Sequence, residues 1–543
     1  MSKTIRVSLN DLCLKGYAKE SNASPRGKTW YIPHHGVYHP SKPGKIRVVF
    51  DCSAEFQGKS INNELLSGPD LTNQIVGILT RFRRGEIAFM ADLEAMYYQV
   101  MVPDEQQTFL KFLWWKDGDM QKEPQEFMMC AHVFGGTSSA SCSNYALRRT
   151  AVDNQAKYGE KISKVLENHF YVDDMLMSTG DLKTAKELIK GTIEICKEGG
   201  FNLTKFVSNS KELLLSIPDK LRKQCVQDQN LAGDLPRDKA LGVCWNLKDD
   251  VFSFKLNIDK QSITKRVMLS IISSIYDPLG FAGPFILEGR RQLQSLGNQD
   301  FQWDDELSED IQYRWHKWVS ILRNIENLSI RGCITPENFG KLKDIAIHHF
   351  SDASEYGYGQ CSYIRVVDES GRIHCSLLMG KSRVVPKKFV SIPRLELTAA
   401  VLSTKMSSLL KKELHMPDIK ERFWTDSNVV LGYIANEAKR FKIFVANRIQ
   451  QIKEYTEISQ WSYVPTKENP ADDASRGLNA ANEDSDSRWF NGPSFLWKKE
   501  NLWPGSKEQI ELAEDDPEIK RDVKIFATAS SYYIIGNIEE KIS

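Results

Sequence analysis

Apolar residues close in on a pair of aspartates in the stretch NHFYVDDMLMSTG, residues 168–180. Phe170, Tyr171 and Val172 lead in; Met175, Leu176 and Met177 lead out. Both flanks read as strands, which puts Asp173 and Asp174 at the tip of a hairpin. A turn GD follows, and then LKTAKELIKGTIEICKE carries Leu182, Ala185, Leu188, Ile189, Ile193 and Cys196 near helical spacing. Gly199 and Gly200 supply a C-terminal stop, and FNLTKF reads as a returning strand. Upstream, GEIAFMADLEAMYYQV is an apolar strand with Asp92 at its end, then a helical turn. Further on, DIAIHHFSDASEYGYGQCSYIR predicts two antiparallel strands with Asp352 on the first. After Pro393, the residues Leu395, Ala399, Leu402, Met406 and Leu409 form one helical stripe with Glu396 beside it. RFWTDSNVVLGYI predicts a strand ending at Asp426 and a helix that Ser427 can cap.

These patterns divide the chain into four regions. Residues 1–215 mix short strands and helices, residues 216–335 are helix-rich with scattered aromatics, and residues 340–478 return to an α/β pattern. Residues 479–543 are acidic, contain Trp and Pro, and are expected to form a loosely folded extension. The length of 543 residues suits several domains, and the 41% hydrophobic and 26% charged content suits globular protein. Net charge is only +1, but residues 1–50 hold nine Lys or Arg against Asp11 and Glu20. A basic start of this kind can meet a polyanion or be a solvated flank. The ten cysteines include no C-x-x-C pair, so no zinc knuckle is visible, and reduced thiols in the cytosol are expected. Neither a signal peptide nor a membrane-spanning apolar run is expected.

Two adjacent carboxylates repel each other, and a chain needing only a turn would use Asn-Gly or Asp-Gly. A divalent cation removes that penalty. Mg²⁺ takes oxygen ligands from one or two carboxylates plus substrate phosphates, and a pair of such ions serves in-line phosphoryl displacement. A third carboxylate is then required, and Asp92 at its strand end is the candidate. A lone Asp-Asp pair on a loop is usually only solvated. The apolar strand flanks and the separate Asp92 strand make this one far more specific.

YVDD resembles the palm motif of reverse transcriptases, and FMADLEAMYYQV resembles the motif supplying their third metal-binding aspartate. IRVVFDCSAEFQGKSINNELLSGPDL is similar to the fingers segment, and HVFGGTSSASCSNYALRRT to the template- and nucleotide-facing segment. LGVCWN and KRVMLSIISSIYDPLGFAGPFILEGRRQLQ resemble the segment typical of BEL/Pao-type LTR retrotransposon polyproteins. The resemblance spans roughly residues 25–505. It implies Asp92, Asp173 and Asp174 as the metal-binding triad. It implies Tyr97, five residues after Asp92, as the aromatic that closes off the sugar 2′ position, which distinguishes ribo- from deoxynucleotides. Arg47, four residues before Asp51, would grip the incoming triphosphate, and Gly135 and Gly136 would let backbone approach the nucleotide. Taken without the resemblance, Tyr97 is a packed tyrosine and Arg47 a surface arginine. The Gly135–Gly136 segment departs from the Pro-containing form of many relatives.

Four acids in the later α/β region, Asp352, Glu396, Asp426 and Asp472, suggest a second cation-dependent site acting on a phosphodiester. HFSDASEYGYG, IPRLELTAA, WTDSNVVLGYI and NPADDASR resemble the ribonuclease H domain of retrotransposons. Asp472 is the better match for the fourth acid, with Asp473 as its neighbour. The basic or histidine-bearing loop of some relatives is not evident.

The expected fold is therefore α+β and α/β multidomain: a right-hand-like polymerase of fingers, palm and thumb, followed by a ribonuclease H-like domain. Fingers and palm fall in 1–215, a thumb- or connection-like helical region in 216–335, the ribonuclease H-like domain in 340–478 and an acidic extension in 479–543. The implied function is RNA-directed DNA synthesis with degradation of the RNA strand of the hybrid, using two Mg²⁺ or Mn²⁺ ions per site. Implied partners are an RNA template, a DNA primer, the RNA–DNA hybrid and deoxynucleoside triphosphates, in a cytoplasmic retroelement particle or the nucleus. The competing reading is a domesticated or decayed element that binds nucleic acid without chemistry; the seven intact acids disfavour it. No D-[ST]-G triplet of an aspartic peptidase occurs, and no His/Cys pattern of an integrase follows residue 478. Protease and integrase segments are expected on a longer polyprotein, of which this chain is a segment or a truncated copy.

Overall fold

The computed structural model describes residues 9, 11–21, 28–38, 46–115, 119, 121–227, 234–256, 258, 262–298, 301–481, 486–504 and 512–520. In the first region β1 (Ala18–Glu20), β5 (Lys111–Trp114) and β6 (Gln125–Met129) form a sheet in the order β1-β6-β5, and β2 (His34–Tyr38) pairs with β3 (Ile46–Phe50). A second, antiparallel sheet runs β7-β8-β4-β9, from β4 (Ile87–Leu93), β7 (Phe170–Tyr171), β8 (Asp174–Thr179) and β9 (Leu203–Ser208). Helix α1 (Ile75–Phe82), α2 (Ser139–Tyr158), α3 (Glu160–Asn168) and α4 (Leu182–Glu198) cover it. β4 is central, so its residues from Ala88 to Ala91 are buried on both faces and read as a continuous apolar run. Helix α4 starts where Asp181 accepts the Thr184 amide at 2.8 Å, and it buries Ala185, Leu188, Ile189, Ile195 and Cys196.

The segment expected to be helical also contains a sheet. β10 (Arg237–Ala240), β11 (Val243–Asn246), β12 (Val251–Ser253) and β13 (Ile330–Arg331) lie side by side in that order. These strands are too short for a period-2 pattern to register, and β13 joins from far along the chain. The expected helices are present as α5 (Lys265–Ser274), α6 (Gly283–Ser295) and α7 (Glu309–Leu322).

The last sheet has the order β16-β15-β14-β17-β18, from β14 (Leu342–Ala353), β15 (Gly357–Asp368), β16 (Ile373–Val384), β17 (Lys420–Thr425) and β18 (Trp461–Tyr463). β14, β15 and β16 are antiparallel; β17 runs parallel to β14, and β18 parallel to β17. Helices α8 (Ile392–Leu414), α9 (Asn428–Ala435), α10 (Ile443–Tyr455) and α11 (Ala471–Arg476) complete it. Ser427 caps α9, accepting the Val430 amide at 3.2 Å. Helix α6 packs on β16, so the packing crosses the division drawn at residues 335–340. Among the described residues no helix is long and apolar enough to cross a membrane.

The expectation of a loose extension after residue 479 is corrected for residues 486–504. Trp489, Phe490, Phe495, Leu496 and Trp503 are buried in the core that also holds Phe350, Tyr363 and Trp424. Acidic composition masked a segment whose aromatics pay for its ordering.

Helix α1 ties the halves together. Its Ile78, Leu79 and Phe82 are buried, and Phe82 meets Trp245 edge-on at 4.9 Å. Arg81 pairs with Glu413 of α8 at 3.0 Å and donates to the Asn168 carbonyl at 2.6 Å. Gly77 makes this docking possible, since a Cβ there would stand 1.7 Å from the Glu413 carboxylate. Just after the helix, Arg83 is fully buried and donates to the carbonyls of Leu377 (2.7 Å), Gly332 (3.2 Å) and Arg331 (3.2 Å). Replacing Arg83 by Met strands these acceptors. We expect unfolding free energy to fall by about 3 kcal/mol, read as a lower urea midpoint by tryptophan fluorescence. A wild-type midpoint in Arg83→Met would show that the brace contributes nothing.

Candidate active sites

The first acidic cluster forms at the hairpin. Asp92 of β4 lies opposite Asp174 of β8, and the Leu93 amide donates to the Asp173 carbonyl at 2.8 Å. The turn is only Val172 and Asp173, so Asp173 is at the tip and Asp174 already opens the strand. Val172 has φ 55°, a left-handed conformation that a β-branched residue adopts only under constraint. Burial raises the Asp174 carboxyl to about 6, and the charges of Asp173 and Asp92 push the same way against Lys205 and Lys223.

Lys205 Nζ holds Asp92 at 2.6 Å. It sits on β9 with φ 57°, where the register against β4 shifts between Met90 and Asp92. Nothing in NLTKF marks this lysine, because the irregular backbone that aims it appears only in three dimensions.

Tyr97 follows in a 3₁₀ turn entered through Ala95, at φ 51°. It is half-buried; burial and the Asp173 charge both raise its hydroxyl pKa. Its ring lies 4.6 Å from that of Phe134, which brings the Gly135–Gly136 segment to the same place. Gly135 has φ 110°, and a Cβ there would be 2.6 Å from the Phe50 carbonyl, so glycine is required by backbone approach within the chain. Asn62 fixes this loop, donating to the Gly135 carbonyl at 3.0 Å and accepting the Thr137 amide at 2.9 Å. Backbone pairing sets Arg47 opposite Val37 on the β2–β3 hairpin; its side chain lies outside the described residues.

The second cluster gathers the four predicted acids. Ser351 and Thr425 are partners across the parallel β14–β17 pair, so Asp352, still within β14, and Asp426, just beyond β17, stand as neighbours. Burial, then Asp426, raise Asp352 to about 7; the Asp472 charge adds to this and a hydrogen bond from Ser475 opposes it. Glu396 is raised by burial and by Asp426, and accepts the Ser427 hydroxyl at 2.6 Å. Asn469 is fully buried and donates to Asp426 and to the Ser351 carbonyl, both at 3.2 Å. Asp472 pairs with Arg476 at 2.5 Å. Asp473 turns elsewhere: Arg488 grips it with bonds of 2.5 and 3.2 Å. Asn469 and Ser475 were missed as positioning residues, although both flank the acids in NPADDAS.

Among the described residues no three His, Cys, Asp or Glu side chains converge as a metal-holding group. Lys205, Ser427, Asn469, Ser475 and Arg476 hold the carboxylates in the arrangement seen. The donor sets are nonetheless all-oxygen and set carboxylates close enough to raise one another's pKa, and this fits hard divalent cations.

Residues 264–427 match the family described as the Pao retrotransposon-like RNaseH-like domain. No curated protein sequence matches the chain. Among solved structures, the foamy viral protease-reverse transcriptase dRH in complex with ds DNA is similar, with TM-score 0.53 and 16% identity over 85% of this chain and 69% of that one. The foamy viral protease-reverse transcriptase in complex with dsDNA gives 0.52 and 16% over 85% and 82%. The same protein in complex with RNA/DNA hybrid gives 0.50 and 14% over 86% and 54%. At these identities the likeness shows the fold, that of reverse transcriptases with a ribonuclease H-like domain. Residues 264–427 thus resemble the Pao-type RNaseH-like domain, and the chain as a whole has the fold of reverse transcriptases with such a domain.

The raised Asp352 carboxyl has a consequence for stability. The unfolded group ionises near pH 4 and the folded one near 7, so the folded state holds more protons in between. Stability from this group is therefore present below pH 4 and lost as pH rises to 7. Asp352→Asn should raise the melting temperature of the metal-free protein at pH 8 by ~2 °C or more, with the difference closing near pH 4. Equal melting curves at pH 8 would contradict the crowding of these acids.

Proposed function

We propose that the chain synthesises DNA on RNA or DNA templates at Asp92, Asp173 and Asp174. It cleaves the RNA strand of the resulting hybrid at Asp352, Glu396, Asp426 and Asp472. The observation that carries this is the presence of two separate carboxylate clusters on different sheets of one chain, Asp92 opposite Asp174 on one and Asp352 beside Asp426 on the other. The solved structures similar to this one are complexes with dsDNA and with RNA/DNA hybrid, which supports the same class of partner here.

Divalent cations such as Mg²⁺ or Mn²⁺, two per site, would neutralise each cluster and polarise the phosphoryl oxygens. The chain's own groups set the geometry. The strained Val172 turn presents Asp173 at the hairpin tip, where a primer end can reach it. Lys205 holds Asp92 aligned with the strand. Tyr97, packed on Phe134 and beside Asp173, stands where a bulky ring limits the space open to a sugar 2′-hydroxyl. Ser427 and Asn469 fix Glu396 and Asp426, and Ser475 fixes Asp352. The charge of Asp472 acts on Asp352, whereas Asp473 is engaged by Arg488; this favours Asp472 as the fourth acid.

Asp173→Asn should reduce primer extension by on the order of 10³-fold or more while RNA cleavage in a hybrid persists. Asp426→Asn should do the reverse. Both are read in one reaction, from extended primer and RNA fragment lengths. Loss of both activities in either folded variant would defeat the two-site assignment, and absence of both in the wild type would favour binding without chemistry.

Tyr97→Val should raise ribonucleotide incorporation relative to deoxynucleotide, measured as the ratio of kcat/KM values. An unchanged ratio with activity retained would leave Tyr97 as packing alone.

A further inference from the structure

Residues 512–520, LAEDDPEIK, lie against the domain of the second cluster. They carry Glu514, Asp515, Asp516 and Glu518 against the single base Lys520. The segment is seated by backbone pairing: Lys442 N–H donates to the Glu518 carbonyl and Lys520 N–H to the Arg440 carbonyl, each at 2.8 Å. Leu512 and Ile519 pack against the core around Val445 and Phe441. The carboxylates meet donors. Arg394 holds Glu518 through two bonds of 2.7 and 3.0 Å, and the Tyr433 hydroxyl donates to Asp516 at 2.9 Å. Lys439 Nζ donates to the Leu512 carbonyl at 3.1 Å. Arg394 and Arg448 both lie over the Phe444 ring, at 4.8 and 3.4 Å.

This surface is built on α8, which carries Glu396, and on α9, which follows Asp426. Arg394 precedes Glu396 by two residues on α8, and Arg448 donates to Thr398, two residues beyond it, at 3.1 Å. Tyr433 lies on α9, which begins just after Asp426. Arginine forks, lysine and a tyrosine hydroxyl are the donors that position a nucleic-acid backbone through its phosphates. With a net charge of +1, duplex binding must rest on local basic surface of this kind.

We infer that the Arg394, Tyr433 and Lys439 surface takes the phosphates of the hybrid, and that residues 512–520 occupy it in cis as an acidic strap that hybrid displaces. This rests on the ribonuclease H reading of the second cluster. The Arg394 side chain is 34% exposed while Glu518 of the strap is buried, so the guanidinium can take a phosphate only as the strap lifts. The apolar anchors keep the strap nearby, which makes reclosure intramolecular.

The test uses the full chain without divalent cations, so that hybrid is bound but not cut. Asp516→Asn/Glu518→Gln should bind RNA–DNA hybrid about three- to ten-fold more tightly at about 100 mM salt, and its log affinity should fall with log salt by about one unit more steeply. Arg394→Gln should weaken binding and cancel the gain when added to the double variant. Independently of any variant's folding, hydrogen exchange on the wild type should show the Lys442 and Lys520 amides losing protection when hybrid is added. Unchanged or weaker affinity in the folded double variant, or undiminished protection at both amides under saturating hybrid, overturns the strap. If neither wild type nor variant holds hybrid, the function reading itself falls and the strap with it.

Discussion

Arg83 brings a positive charge into a place without water, and the relative placement of the two acidic clusters follows from how that charge is satisfied. Burial lowers its pKa to about 10, and its hydrogen bonds run to carbonyls on β13, on the loop after it and on β16. Three carbonyls surround a guanidinium fork of fixed shape, so the chain at Arg83, at Arg331–Gly332 and at Leu377 must meet at one point. Arg81 adds a pair with Glu413 on α8, the helix that also carries Glu396. The short helix α1 before them packs on β8, which carries Asp174. One element of eight residues, about 12 Å long, thus contacts the scaffolds of both clusters.

Like-charge crowding is handled differently at the two sites, and exposure explains the difference. At the hairpin the balancing groups are lysines, Lys205 on Asp92 and Lys223 nearby, with Lys205 half-exposed. A lysine on a flexible stem can withdraw when another cation or a substrate arrives. In the second cluster Asp352 is buried, and neutral donors hold three of the acids, Ser475 on Asp352, Ser427 on Glu396 and Asn469 on Asp426, while Arg476 pairs with Asp472. Neutral hydrogen bonds fix orientation without cancelling charge, and both Asp352 and Asp174 are raised, first by burial and then by neighbouring carboxylates.

The acids and their elements were legible because each sits at a change of pattern. Asp92 ends an apolar run, Asp426 stands between a strand and a capped helix, and Asp173–Asp174 interrupt a hairpin. The strands β14 and β15 were equally plain, being twelve residues long, whereas β16, just as long, was not singled out. Short strands such as β10–β13 gave no period to find. Long-range partners were invisible for a different reason: Arg83 reads as one more base in RFRRG, and only the fold places Leu377 against it. Val172 and Lys205 belong here too, since no residue type announces a left-handed valine or a lysine on an irregular strand. The aromatic segment 486–504 was obscured by the acidic composition around it.

An apolar contact between the halves would bury comparable surface, yet it would leave their relative orientation soft. Apolar packing is non-directional, and side chains on a smooth interface can shift with little penalty. A guanidinium bonded to several carbonyls loses bonds with any rotation, and each lost bond strands a buried polar group. Desolvation of Arg83 offsets much of what its hydrogen bonds contribute, yet removing it alone leaves its buried carbonyl partners unpaired, and the orientation gained is large. That trade suits a chain whose two acidic clusters stand on different sheets. Each can then be tuned by its own neighbours, lysines at one and hydroxyls at the other, while the helix between them holds both to one frame.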